Sequence, residues 1–487
     1  MTLQVIIDDA APPPARLKDM IGIDRFGDIR YKRRTLAVIT RQAIAAAGLA
    51  APIVLENRSD WSALEEKVRR GDLGERYLIC SSGVVAGRGP DVLTLFLRQA
   101  RYSPQNLVLP AAGCPEWRGW ALMTGSMFRD YLADHARGEL PAFFERNRER
   151  FVGLEERLGL LDLSDEMTLL EFLSGTFDAR FFNEIKRDAY TIKKTSTDRA
   201  KLRREYQLFE LLPPQMQMFF IRPFDFTEDT TTASYRMERL FVPDMAVQWL
   251  HGALTPVEFG RFLDQVFYFV TTRSRRAAQA GEAEKVIQSL FVDKVRDRVE
   301  AIKVTPEYAR LGPLIDQACG SVDALFVRYL KLFERWRARL PTNELAVGHG
   351  DLCFSNILYA KTSRTMKLID PRGAATEADL WTHPYYDIAK LSHSVLGNYD
   401  YVNQDMFDIQ IDESMGPALV IDKQPSEWAD EAFVRHLRQA NFEPDLVRLC
   451  EASLFISMLP LHVDRPRKVL GFVLVAMRIL DSLEGKP

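Results

Sequence analysis

Apolar and polar positions change rhythm twice along the chain. From the start to about residue 165, short apolar runs alternate with stretches of helical period. "RTLAVITRQAIAAAGLAAPIVLEN" predicts a helix, a stop at Gly48 and then a strand, and "SALEEKVRRGDLGERYLICSSGVV" repeats the order. That alternation predicts an open α/β sheet. The charged run "AFFERNRERFVGLEERLGLLDLSDE" predicts a helical connector leading out of it.

From about residue 170 the rhythm is that of strands. "FFNEIKRDAYTIKKTS" predicts a hairpin turning at Arg187-Asp188, and "RAKLRREYQLFELL" a helix stopped by Pro213-Pro214. "SYRMERLFV" is another short strand, and from about 255 the pattern is mostly helical. The expected organisation is an α/β domain over 1–165, a strand-rich segment over 170–245 and a helical segment over 246–487. "TRSRRAAQAGEAEK" reads as a solvated helix face and turn, and "GRGP" at 87–90 as a turn.

Composition narrows the function classes. The chain has 487 residues, 47% of them hydrophobic and 27% charged, as expected of a globular protein with more than one core. A net charge of -3 supplies no basic field for nucleic acid. The five cysteines, 80, 114, 319, 353 and 450, have no CxxC spacing, which speaks against a zinc site or a disulfide framework. The start, "MTLQVIIDDAAPPPARLK", carries aspartates where a signal peptide needs an apolar run. The most apolar stretch, "VLGFVLVAMRIL", is too short to span a bilayer and predicts a buried helix, so a cytoplasmic protein with no membrane span is expected.

One stretch breaks its own apolar pattern. "VGHGDLCFSNILYA" (347–360) places His349, Asp351 and Asn356 as H-x-D-x-x-x-x-N, and Asp370 follows in "MKLIDPRG". Phosphoryl transfer from a nucleotide needs these parts: an aspartate to orient the attacking hydroxyl and take its proton, and an asparagine and second aspartate to hold magnesium. Hard oxygen ligands suit that ion. The remaining parts occur in the order this chemistry requires. "AYTIKKTS" offers a phosphate-gripping lysine, Lys193 or Lys194, on opposite strand faces; Lys194 is favoured because it shares a face with Ile192. Glu205 is the helical glutamate to hold it, with a solvated helix residue as the alternative. "YRMERLF" would join two lobes, with backbone near Glu238 and Leu240 facing an adenine. Asp387, at the start of an apolar helix, reads as an N-cap and as a support for the catalytic loop.

"HGDLCFSNIL", "LIDPRG" and "YYDIAKLSHS" resemble the aminoglycoside phosphotransferase and choline kinase group of small-molecule kinases, over roughly 170–487. The resemblance implies an α+β two-lobed protein-kinase-like fold that uses ATP or GTP with magnesium and a small-molecule acceptor. Carried over by motif, Asp351 is the catalytic base, Asn356 and Asp370 are the metal ligands, and His349 is a structural member of the catalytic loop. The chain departs from the pattern in two places. A G-x-G-x-x-G loop is absent, "LSGTFDARFF" having only Gly175, which argues against a protein kinase. Arg372 stands in "DPRG" where an acidic or apolar residue is more usual, and either binds an anionic group of the substrate or forms a salt bridge that holds the loop.

"IDPRG" with "YDIAKLSHS" is most similar to kinase-like domains of bacterial capsule and surface-polysaccharide proteins, where a nucleotidyltransferase is sometimes attached. The preceding α/β open-sheet domain is then a candidate degenerate nucleotidyltransferase-like fold, though no G-x-G-x-R signature and no aspartate pair ending a strand is expected there. The expected function is ATP-dependent phosphorylation of a sugar or amino-alcohol hydroxyl for cell-surface polysaccharide. The rival is a non-catalytic kinase-like scaffold with an α/β recognition module. Cys353 reads as a packing residue. The segment 398–414 reads as a solvated loop, or as a substrate lining through Asp400, Asp405 and Asp408.

Overall fold

A computed structural model describes residues 2–31, 34–71, 75–112, 114, 118–138, 140–154, 158–174, 183–411, 416–421 and 427–486. The chain divides into two compact units, Met1–Asp178 and Ala179–Pro487. Gly175 and part of 398–414 fall outside the described residues.

The first unit is built on a six-stranded sheet. Its strands are β1 (Leu3–Asp8), β2 (Ile53–Leu55), β3 (Arg76–Ser81), β4 (Asn106–Pro110), β5 (Gly119–Thr124) and β6 (Phe151–Gly153), in the order β2-β1-β3-β5-β4-β6. β1 pairs parallel to both β2 and β3, whereas β5 is antiparallel to β3 and β4. Helices α1 (Leu36–Ala46), α2 (Arg58–Arg70), α3 (Pro90–Ala100) and α4 (Gly125–Arg137) supply the connections. The apolar run of β1 is explained by burial on both faces: Val5 and Ile7 join one core cluster while Ile6 joins another. Gly48 and Gly71 follow the helices in left-handed backbone, φ +71° and +77°, and let each chain turn back into a strand.

Two expectations are corrected in this unit. The charged connector is α-helical over Leu140–Asn147 and a 3-10 turn over Arg148–Arg150, after which Phe151–Gly153 adds parallel to β4. The cause is tertiary: Phe143, Phe144 and Phe151 pack in one aromatic cluster, which outweighs the helical propensity of the charged residues. An aspartate does double up at a strand end, because β1 finishes at Asp8 and Asp9 follows, its carboxylate accepting from the Ser82 hydroxyl.

The second unit opens with an antiparallel sheet of β7 (Asn183–Arg187), β8 (Thr191–Ser196), β9 (Pro223–Glu228) and β10 (Ala233–Glu238), ordered β7-β8-β10-β9. Helix α5 (Arg199–Leu211), capped by Asp198, buries Leu202, Glu205 and Leu208 on one stripe. A mostly helical region follows, with α6 (Pro256–Thr272), α7 (Lys294–Lys303), α8 (Pro384–Val395), α9 (Pro444–Met458) and α10 (Pro466–Glu484). α10 contains the apolar stretch of the C-terminal sequence, and Phe472, Val473, Ile479 and Leu480 are fully buried there, worth roughly 1.5–3 kcal/mol each. Among the described residues no helix is long and apolar enough to cross a membrane.

Small strands carry the polar motif within this unit. β11 (Arg275–Ala277), β12 (Glu344–Val347) and β15 (Trp381–Thr382) make a three-stranded sheet, and β13 (Ile357–Ala360) and β14 (Thr365–Leu368) make a hairpin. The charge run at 272–285 is therefore not a solvated helix face throughout: Arg275–Ala277 is a strand and Arg273 is buried. The segment after Asn398 likewise contains a short helix, Tyr399–Asn403, and a strand, Phe407–Ile411. Asp400 is buried in that helix, whereas Asp408 on the strand pairs with Arg467, so the three aspartates do not line one surface.

Candidate active site

Lys194 is the point on which the site of the second unit closes. It lies directly opposite Tyr235 on β10, and Ile192 lies opposite Met237, so these four share a face. Lys193 pairs with Arg236 and Lys186 on the other face, so of the two lysines it is Lys194 that shares a face with Tyr235 and Ile192. The Lys194 ammonium donates to Glu205 Oε2 at 2.6 Å and to Asp370 Oδ1 at 3.0 Å. Burial opposes its charge, but Asp370, Tyr235 and Glu205 together hold its pKa above the ordinary lysine value. Glu205 is buried with it and also accepts from the Tyr235 hydroxyl at 3.3 Å.

Asp370 reaches this lysine because the β13–β14 hairpin aims it. Ile357 pairs with Leu368, and one step further the Ile369 amide donates to the Asn356 carbonyl at 3.0 Å. Asn356 and Asp370 therefore flank one end of the hairpin. Asp370 itself adopts φ +53°, a left-handed conformation that costs free energy in a non-glycine residue. The Asn356 amide nitrogen donates to the Asp351 carbonyl at 2.9 Å, which fixes the rotamer of that side chain. Asp370 has one oxygen on Lys194 and its side chain is 42% exposed. Among the described residues no group of three or more His, Cys, Asp or Glu side chains could hold a metal alone. Two hard oxygens on one hairpin end do fit magnesium shared with nucleotide phosphates, an ion that keeps several non-protein ligands. When bound, magnesium would neutralise phosphate charge there.

The loop carrying Asp351 is pinned from beneath. Asp387 accepts from the backbone amides of His349 at 2.9 Å and Gly350 at 2.8 Å, and from Arg273 Nη1 at 2.7 Å. Arg273 and Asp387 are both fully buried, with side-chain exposure of 0%. Gly350 needs its φ of +81°, and an added Cβ would press on the Arg372 side chain. His349 is buried and works as a brace: its Nε2 donates to the Ile369 carbonyl at 2.9 Å while Nδ1 accepts from the Asp351 amide at 3.2 Å. Burial lowers its pKa and keeps it neutral, as that bonding pattern requires. His349 thus ties the two functional segments together without facing the chemistry.

Neither a family model nor a curated protein matches the chain. Solved structures of aminoglycoside phosphotransferases do. Spectinomycin phosphotransferase, solved with ADP and spectinomycin, is 10% identical over 63% of this chain and 91% of its own, with a TM-score of 0.38. A thermostable aminoglycoside phosphotransferase mutant with ADP and hygromycin B is 10% identical over 66% of this chain and 100% of its own, at 0.40. The Streptomyces rimosus aminoglycoside phosphotransferase, with ADP and streptomycin, is 14% identical over 63% and 97%, at 0.35.

Several residues at the site escape a reading by motif. Lys390 Nζ lies 2.9 Å from Asp351 Oδ1 and is held charged by it against burial. Its signal in the sequence is a lone cation in an apolar helix, one turn after Asp387. Arg273 is the buried counter-ion of Asp387, and Tyr235 completes the Lys194–Glu205 pair. The other expected groups take modest places. Glu238 ends β10 opposite Thr191, and the chain passes to Leu240 through Arg239, whose amide donates to the Tyr190 carbonyl at 2.8 Å. Met237, just before, lines a small cavity with Glu205, Phe220 and Asp370. Arg372 is exposed and makes no ion pair among the described residues; its amide donates to the His349 carbonyl at 2.9 Å. Cys353 is buried against Ser355, and burial raises its thiol pKa, which suits packing rather than attack.

Proposed function

We propose that this protein is a phosphotransferase that moves the γ-phosphoryl group of ATP or GTP to a hydroxyl of a small molecule. The observation that carries the reading is Lys194, shared between Glu205 at 2.6 Å and Asp370 at 3.0 Å. A lysine in this arrangement is charged, immobile and set beside a carboxylate suited to magnesium, as phosphate positioning requires. The acceptor hydroxyl oxygen forms a bond to the γ-phosphorus. The bond to the β–γ bridging oxygen breaks, its electron pair leaves with the nucleoside diphosphate, and the hydroxyl proton passes to Asp351. Asn356 and Asp370 would hold the magnesium, and backbone groups near Glu238 and Leu240 would meet the base.

The expected setting, a sugar or amino-alcohol acceptor in the assembly of cell-surface polysaccharide, is supported by the likeness of "IDPRG" and "YDIAKLSHS" to kinase-like capsule proteins. The solved aminoglycoside phosphotransferases with ADP and an antibiotic accord with a nucleotide and a small-molecule acceptor. A cytoplasmic location suits the use of ATP. The test is thermal unfolding with and without ATP and magnesium. A ligand at a hundred times its Kd adds about 2.7 kcal/mol of stability, which shifts the melting temperature measurably. An unmoved transition at millimolar magnesium-nucleotide would overturn the proposal and favour a non-catalytic scaffold.

A further inference from the structure

Near Asp351, among the described residues, cations outnumber the carboxylates that pair with them. Lys390, on α8, sits on its carboxylate at 2.9 Å. One turn earlier on the same helix, the Tyr386 hydroxyl accepts from Lys294 at 2.6 Å, and the Lys294 ammonium lies 5.1 Å from the Tyr386 ring centroid. Arg372 packs its aliphatic chain against Gly350, next to Asp351. Lys294, Lys390 and Arg372 all act electrostatically on Tyr386, so the three cations share one locality. Among the described residues Lys390 pairs with Asp351, whereas neither Lys294 nor Arg372 has a carboxylate within ion-pair distance.

A half-buried lysine bonded only to a neutral hydroxyl is costly, because desolvation is not repaid by a counter-charge. Burial and the neighbouring cations Lys390 and Arg372 lower the Lys294 pKa below the ordinary lysine value. An arrangement that breaks a local rule of this kind marks a place where a ligand supplies the missing part. The backbone concurs: a π-helical turn, Ser289–Asp293, immediately precedes Lys294 and sets its direction, and such turns concentrate at functional sites.

We infer that the acceptor is an anion, an alcohol that carries a phosphate or carboxylate group, and that this group rests on Lys294, Lys390 and Arg372 while its hydroxyl meets Asp351. The inference rests on the phosphotransferase reading and narrows it: of the two expected acceptor classes, an acidic sugar fits and an ammonium-bearing amino-alcohol is repelled. The arginine that departs from the family pattern then has a role, since a guanidinium matches the two oxygens of such a group. Phosphate and carboxylate both satisfy this chemistry, and matched probes separate them.

The experiment uses the full chain with ATP and magnesium, and reads ADP release with glucose, glucose 6-phosphate, glucuronate and glucosamine, and with glycerol and glycerol 3-phosphate. In parallel, the rise in melting temperature caused by each compound is measured over a non-hydrolysable nucleotide. An anionic member of a set is expected to outperform its neutral or ammonium counterpart in turnover or in binding. Arg372→Gln, at an exposed position, and Lys294→Met are each expected to raise the apparent Kd or KM of that anion about tenfold or more, as loss of one charge-assisted bond implies, and to do so more than for the nucleotide. Preference for glucosamine or a neutral alcohol, failure of every anion to bind, or unchanged anion affinity in both variants would overturn the inference. Failure of magnesium-nucleotide itself to stabilise the wild type would instead sink the parent reading, and this inference with it.

Discussion

Three carboxylates in the second unit are set apart by what touches them, and each predicts a different defect. On the proposed reading Asp351 takes the acceptor's proton, so Asp351→Asn is expected to lower kcat by about a hundredfold or more while nucleotide affinity stays close to wild type. Asp370 shares Lys194 and flanks Asn356, so Asp370→Asn should weaken magnesium-dependent nucleotide binding itself, measured by titration of nucleotide with and without the ion. Equal loss of binding in both variants would contradict the division of roles. Asp387 does neither job. It is buried on Arg273 and two loop amides, and Asp387→Asn leaves a guanidinium uncompensated. The expected cost is about 3–5 kcal/mol in denaturant unfolding, and Arg273→Met in the same chain should recover part of it. The nearness of Asp351, Asn356 and Asp370 was legible as spacing because local hydrogen bonds confine them to one loop and one hairpin. Arg273, Lys294 and Tyr235 were not, because each reaches the site from an element far away in sequence, and no spacing encodes that approach.

Elements bring these residues together through a few close backbone contacts. The Ala374 amide donates to the Arg204 carbonyl at 3.0 Å, which fixes α5, and so Glu205, against the loop that follows Asp370. Gly373 permits the contact: its φ is +85°, and a Cβ would lie 2.7 Å from the backbone of Arg204 and Glu205. Gly373→Ala is therefore expected to cost about 1–3 kcal/mol, from left-handed strain and displaced backbone together. Because it pushes on α5, it should also raise the KM for nucleotide more than the KM for acceptor; steady-state kinetics with each substrate varied would show the split. Elements with a strong period and a clear stop, such as α1, α5 and α10, were legible from pattern alone. The charged run at 142–166 was not. Its short strands at Phe151–Gly153 and Leu160–Asp162 owe their existence to a neighbouring strand edge and to buried phenylalanines, which a local pattern does not contain.

At the scale of the molecule, stability carries a pH dependence that the composition conceals. A net charge of -3 suggests only mild acid sensitivity. Yet Asp400 is buried and Asp244 half-buried in the second unit, and desolvation pushes each up to about 7. Among the described residues one oxygen of Asp400 has no hydrogen-bond partner, as a neutral carboxylic acid tolerates better than a carboxylate does. The sign follows from proton counting. Between pH 4 and 7 the unfolded chain has already released these protons while the folded chain still holds them, so stability falls as pH rises through that window. Below about pH 4 both states are protonated and the contribution is complete; above 7 it is gone. A shift of this size corresponds to a loss on the order of 2–4 kcal/mol per group. Asp400→Asn keeps the shape and removes the titration. Its stability relative to wild type should therefore rise by a few kcal/mol between pH 4.5 and pH 8, read from urea midpoints at the two values. Asp244→Asn should behave alike, because asparagine preserves the cap that Asp244 gives to Val247 at 2.8 Å. A difference from wild type that stays constant across the two pH values would show that these carboxyls are ionised in the folded state.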